Sequence, residues 1–204
     1  MWILRTGSEG IPVAEHPKRI IVGISGASGA PLALKCLELL RAHTDHEIHL
    51  ILGDGAAPTI QCETHRTVDD IIALAHRHYP LDHIGAGPAS GSFQTCGMLI
   101  VPCSMKTVAG IASGYADNLL LRAADVTIKE HRKLVLAPRE TPLSPIHLRN
   151  LHELSQIPWV CLVPPMMTFY NQPESIDDMV FHLAARLLSC FGIDIPGRKM
   201  WDSP

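Results

Sequence analysis

Three loops in this chain carry residue types that handle anions and protons. Arg139-Glu140 follows directly on the apolar run Lys133–Pro138, where a pair of opposite charges stands out. A guanidinium that holds an anion beside a carboxylate that moves a proton is one use for such a pair. An ion pair that locks the loop is the other. Ser104-Met105-Lys106-Thr107 opens a helix with two hydroxyls, a lysine and first-turn N–H groups. That set suits a phosphate, and simple N-capping by Ser104 is the plainer reading. Gly23-x-x-Gly26-x-x-Gly29 lets the backbone pass close to a ligand ahead of a helix N-terminus, and a tight strand-to-helix turn accounts for it equally well. Arg132 and Lys133, at the start of the apolar run, read as solvated.

Several common chemistries do not fit the spacing. The glycine loop is neither GxGxxG nor a P-loop, and Ala27 stands where a GxSxG elbow begun at Gly23 needs glycine. Asp69-Asp70 and Asp177-Asp178 do not extend into a metal-binding DDxxD box and read as helix N-terminal charges. The 12 histidines form no HExxH, so no metal is expected. Cys36, Cys62, Cys96, Cys103, Cys161 and Cys190 form no CxxC and read as small buried hydrophobes.

These loops need elements to hold them. Short β-branched runs at Arg19–Ser25, Glu47–Leu52, Gly97–Pro102, Lys133–Pro138 and Trp159–Pro164 predict five strands. Helical patterns fall at Pro31–His43, Val68–His78, Lys106–Gly114, Asp117–His131, Pro145–Ser155 and Ser175–Phe191, with Ser175 as N-cap of the last. The alternation predicts an α/β fold, a mostly parallel sheet covered on both faces. Such sheets bind ligands beyond the carboxyl ends of their strands, which is where the three loops fall. Residues 1–18, rich in Gly, Pro and charge, read as a flexible extension ahead of a single domain over 19–204.

Bulk properties agree. A chain of 204 residues suits one sizeable core, and 47% hydrophobic with 18% charged residues argues against disorder. A formal charge of −3 offers no basic face for a nucleic acid. No apolar run spans a bilayer and the start lacks a signal-peptide pattern, so a cytoplasmic protein is expected.

Taken in order, GASGA (26–30), PCSMKT (102–107), RAADVxxKE (122–130), PRETPL (138–143) and FYNQPESIDDMV (169–180) resemble the UbiX-like flavin prenyltransferase family, over roughly residues 18 to 193. The resemblance implies a Rossmann/flavodoxin-like three-layer sandwich. It implies transfer of a dimethylallyl group from dimethylallyl monophosphate to N5 and C6 of reduced FMN, without a metal. It further implies a homo-oligomer, commonly a dodecamer, with the flavin site at subunit boundaries. The product, prenylated FMN, would serve a UbiD-type decarboxylase.

By the same resemblance, Gly26, Ala27 and Ser28 match a flavin-contacting loop, and Ser28 also an active-site serine. Ser104, Met105, Lys106 and Thr107 match a second flavin loop. Arg139 matches an arginine shared by flavin and donor phosphate, and Glu63 a carboxylate linked to ring closure at C6. Lys129, Tyr170 and Arg186 match the donor-phosphate set, and Glu140 the acid/base acting on the departing phosphate. Ser90 and Arg122 lie in matching segments. Two departures stand out. Gly53, in the flavin-binding set, replaces a family serine, and Asp54 a common lysine. Met167 stands where a second proline is usual.

Two rival readings have distinct signatures. A flavin-dependent cysteine decarboxylase carries PASANT where this chain has Pro88-Ala89-Ser90-Gly91-Ser92-Phe93, and lacks the Lys129, Arg139-Glu140, Tyr170 pattern. An FMN-binding companion subunit of a decarboxylase predicts flavin binding without turnover.

Overall fold

The computed structural model describes residues 18–201. The expected extension lies outside them except for Lys18, whose carbonyl accepts from the Glu47 amide at 2.6 Å and so already joins the sheet.

Strands β1 (Arg19–Ile24), β2 (Glu47–Leu52), β3 (Arg77–Tyr79), β4 (Gly97–Cys103), β5 (Lys133–Pro138) and β6 (Val160–Leu162) form one parallel sheet in the order β3-β2-β1-β4-β5-β6. β1 is central, with Ile20 in register with both Ile48 and Gly97. The helices are α1 (Ala30–His43), α2 (Ala56–Thr64), α3 (Val68–Ile72), α4 (Met105–Ser113), α5 (Leu119–Lys129), α6 (Pro145–Ser155) and α7 (Ile176–Ser189).

Both faces of the inner strands are dry, which explains why β1, β4 and β5 are almost continuously apolar. Along β1, Ile20, Val22 and Ile24 point into one core with Leu37 and Leu40 of α1 and Leu188 of α7. Ile21 points into the other, with Val108 of α4, Leu120 and Ala124 of α5 and Leu154 of α6. Each large aliphatic side chain so buried contributes ~1.5–3 kcal/mol. The expected three-layer α/β architecture is the one found.

Three local expectations are corrected. Val68–His78 is not one helix. α3 stops at Ile72, and Arg77–Tyr79 turns into β3 on the open edge of β2. The His76 amide donates to the Ile48 carbonyl (2.9 Å) and the Ile48 amide to His76 Nδ1 (2.9 Å), so the exposed polar edge of β2 outcompetes a longer helix. α2 carries no strong apolar stripe and was not expected; its Pro58 lies in the first turn, where a missing N–H is harmless. Arg132 is also not simply solvated, because its guanidinium donates to the Phe93 (2.7 Å) and Gly91 (2.6 Å) carbonyls and pins that loop.

Candidate active site

From β1 the sheet grows one way through β2 and the other way through β4, so a crevice opens between the loops leaving β1 and β4. Buried Ser25 ties these loops together. Its hydroxyl donates to the Pro102 carbonyl (2.7 Å) and accepts from the Ser104 amide (2.8 Å). On the other side the β1 and β2 loops touch backbone to backbone. A Cβ on Gly26 would sit 2.6 Å from Gly55 Cα, and one on Gly55 would sit 2.8 Å from Gly26 Cα, so both positions require glycine.

A cavity of about 420 Å³ fills this crevice. That volume lies in the range of small-molecule sites, ~300–1,000 Å³. Gly26, Gly53, Ser104, Lys106 and Thr107 line it. Ser104 does cap α4, accepting from the Thr107 amide (3.3 Å), but the first-turn amides of Met105 and Lys106 have no acceptor within the helix. Those amides, Lys106 and the hydroxyls can hold a phosphate, and the close glycine backbones admit a flat ring system, so this crevice fits FMN. Met105 turns its own side chain into the core, leaving only its backbone for a ligand. Ala27 is half-buried between the two loop positions that line cavities.

A second cavity, about 480 Å³, opens from the same β1 loop and is lined by Ser28, Glu63 and Arg139. Glu63 Oε2 accepts from the Gly29 (2.8 Å) and Ala30 (2.9 Å) amides, so this carboxylate occupies the N-terminus of α1. Gly29 enters the helix at φ 126°, a conformation that favours glycine. Burial pushes the Glu63 carboxyl up. The Ser28 hydroxyl, the two amides and the Arg139 charge outweigh it and hold the group below the usual carboxylate range. Arg139 is placed by its amide, which donates to the Cys103 carbonyl (3.0 Å). Exposed Glu140 accepts from the Thr141 amide (3.0 Å) rather than pairing with Arg139, so the loop-locking ion pair is not made. A third cavity, about 340 Å³, is lined by Tyr170 and Arg186 and shares Leu183 with the second.

Three assigned residues do not join this group within one chain. Lys129 ends α5 four residues before β5 begins, at the amino edge of the sheet, and its ammonium pairs with Glu130. Ser90 lies beside it, since a Cβ on Gly91 would meet both Lys129 and Glu130. Arg122 pairs with Asp125 along α5 (2.6 Å). Lining residues that the sequence did not single out include Tyr115, Asn118, Arg149 and Asn150. Asn118 was detectable as an N-cap, accepting from the Leu121 amide (3.0 Å); α6 residues reach the crevice only through the packing of α6 on α4.

A family model described as Flavoprotein matches residues 12–187. The chain is 52% identical over 184 residues to a probable UbiX-like flavin prenyltransferase of Streptomyces sp. (strain D7), covering 90% of this chain and 91% of that one. Among solved structures it is similar to a dodecameric FMN-dependent UbiX-like decarboxylase from Escherichia coli O157:H7, with TM-score 0.88, 49% identity, and 91% and 100% of the two chains covered. It is also similar to AnUbiX in complex with FMN and dimethylallyl pyrophosphate, with TM-score 0.88, 42% identity, and 91% and 97% covered.

Proposed function

The chain belongs to the flavoprotein family, among its UbiX-like flavin prenyltransferases, and we infer that it moves a dimethylallyl group from dimethylallyl monophosphate onto N5 and C6 of reduced FMN. The observation that carries this is the junction of two cavities on one loop. Gly26 lines the crevice that fits FMN, and Ser28, two residues on, lines the cavity holding Glu63 and Arg139. Residues 19–204 act on this reading as one flavin-binding domain.

Reduced FMN supplies the nucleophilic positions. The chain supplies charge and protons. A departing phosphate needs its charge neutralised, which Arg139, Arg186 and Lys129 do, and a proton, which Glu140 delivers. Glu63, kept ionised by its amide and hydroxyl donors, is the carboxylate placed to accept a proton during ring closure. Tyr170 lines the third cavity with Arg186, which supports giving it a place beside the donor phosphate.

Lys129, Ser90 and Arg122 reach such a site from a second copy. Met166, Met167, Phe169 and Ile176 are 71%, 60%, 67% and 80% exposed beside the donor cavities, a patch that asks for a covering surface. A homododecamer, the assembly of the Escherichia coli O157:H7 relative, supplies both. A UbiD-type decarboxylase then takes the prenylated FMN. Among the described residues no helix is long and apolar enough to cross a membrane, consistent with work in the cytoplasm. The cysteine decarboxylase reading is disfavoured by Gly91-Ser92-Phe93 and by the Arg139-Glu63 cavity.

The test is mass spectrometry of flavin released after anaerobic incubation with reduced FMN and dimethylallyl monophosphate. A flavin heavier by one C5H8 unit, formed only with the protein, is expected. Unmodified FMN with intact donor and reductant would instead support a companion subunit that binds flavin without turnover.

A further inference from the structure

Cys161 sits in the middle of β6, in register with Val135 of β5, and Cys190 is the C-cap of α7. The chain leaves α7 over the start of β5. A Cβ on Gly97 would meet both the Lys133 carbonyl and, at 2.9 Å, the ring of Phe191. Both cysteines are half-buried and pack on the same core, Cys161 from the sheet and Cys190 from the helix. Their thiols are in contact, with Cys161 a side-chain hydrogen-bond partner of Cys190. The other cysteines are placed differently. Cys36 and Cys103 are sealed in the core, where burial pushes their thiols far up, and burial pushes Cys96 up to about 11. Cys62 lies exposed on α2.

The pair brackets the segment that walls the donor cavities. After β6 the chain supplies Pro164, Thr168 and Tyr170 to the third cavity, and α7 supplies Leu183 and Arg186. Leu183 and Pro165 line the second cavity as well. Neither cysteine lines either cavity, and no residue between them lines the FMN crevice. Arg186 lies one turn before Cys190, whose Sγ donates weakly to the Arg186 carbonyl (3.7 Å). A displacement of Cys190 therefore reaches the turn that carries Arg186.

We propose that Cys161 and Cys190 form a reversible disulfide that ties β6 to the end of α7, weakening donor binding and leaving the FMN crevice untouched. The oxidant is a small-molecule disulfide such as oxidised glutathione. One cysteine, as thiolate, attacks a sulfur of that disulfide and expels one small thiolate. The other then attacks the protein sulfur of the mixed disulfide and expels the second. The two cysteine protons end on the two released thiols, so the cysteines are oxidised by two electrons and the small disulfide is reduced. An S–S bond of ~2 Å is shorter than the thiol contact, so the last turn of α7 closes on β6 and Arg186 moves with it. Closure also removes the S–H that donates to the Arg186 carbonyl. A reducing compartment keeps the pair open, and oxidising conditions close it. Burial and then Cys161 hold the Cys190 thiol above its ordinary range, while the Arg186 and Lys133 charges pull it down. Exchange should accordingly quicken from pH 7 to pH 8.5. The effect on the donor rests on the prenyl transfer inferred above; the bridge itself does not.

The experiment treats the FMN-loaded full chain with oxidised glutathione at pH 8.5, alkylates it without reduction, and maps the peptides by mass spectrometry. A Cys161–Cys190 cross-linked peptide is expected, undone by dithiothreitol and missing from Cys161→Ser and Cys190→Ser. The oxidised wild type should melt ~5–10 °C higher. With photoreduced FMN, which avoids thiol and dithionite, its KM for dimethylallyl monophosphate should rise ~three- to tenfold at unchanged FMN affinity. Both serine variants should keep the KM of the reduced protein after the same treatment. Two alkylated cysteines, or a separate glutathione adduct on each, would overturn the bridge, and this map decides even if a serine variant fails to fold. A bridge with unchanged donor KM would overturn its coupling to the donor site. FMN binding without turnover in the reduced protein would instead defeat the prenyl-transfer reading, and with it the donor coupling.

Discussion

Glu63 caps the N-terminus of α1, and that structural role can be measured without any substrate. Both backbone bonds, from Gly29 and Ala30, end on the same oxygen, Oε2. Glu63→Gln can therefore keep them and removes chiefly the negative charge facing the α1 N-terminus. That charge is worth ~0.5–1 kcal/mol in a partly exposed setting. Glu63→Ala removes the acceptor as well, as in loss of an N-cap, for a total of ~1–2 kcal/mol. For a chain of this size each kcal/mol lowers the thermal midpoint by ~2–4 °C. At pH 7 and equal protein concentration the midpoints should rank Glu above Gln above Ala.

The pH dependence has a definite sign. The folded carboxyl titrates below its unfolded counterpart, so its stabilisation is complete above the unfolded value, ~4.3. It is lost as pH falls through the lower folded value. The gap between wild type and Glu63→Gln, read as urea midpoints by circular dichroism, should be constant from pH 7 to pH 6 and close in acid. An alanine variant as stable as the wild type at pH 7, or a gap that widens in acid, would refute the capping role.

Four further outcomes follow from the same geometry. Gly26→Ala drives a Cβ to 2.6 Å from Gly55 Cα, a backbone atom that has no rotamer to yield, so FMN affinity by fluorescence titration should fall at least ~tenfold. Gly53→Ser brings a Cβ to 3.3 Å from the Ile24 carbonyl, a tight contact that a shift of a few tenths of an ångström relieves, and adds a hydroxyl to the FMN crevice, so the same titration should show affinity rising ~threefold, and a fall would mean that the strain outweighs the added hydrogen bond. Glu140→Gln should retain FMN while single-turnover prenyl transfer slows ~10²–10⁴-fold, and unchanged turnover would remove Glu140 from proton delivery. Lys129→Ala and Arg139→Ala chains should each be inactive alone but recover part of the activity when mixed into one oligomer. Absence of recovery would mean that the two side chains do not share a site across subunits.

Much of the fold was legible because burial repeats along the chain. Glu47–Leu52, Lys133–Pro138 and Pro145–Ser155 match their predicted bounds, and Ser175 accepts from the Asp178 amide (3.1 Å) as its capping role required. Continuous apolar strands, apolar helix stripes and caps are local properties that residue type controls directly. The apolar runs also put the glycine loop, Ser104–Thr107 and Arg139 at strand ends, where the structure has them. What residue types could not decide were competitions settled by distant partners. The edge of β2 claimed Arg77–Tyr79 from a helix, and the carbonyls of Gly91 and Phe93 claimed Arg132 from solvent. The α1 N-terminus claimed Glu63, more than thirty residues away in the chain. Whether a charged group finds an acceptor depends on what folding leaves within hydrogen-bond reach, and residue type alone carries no record of that.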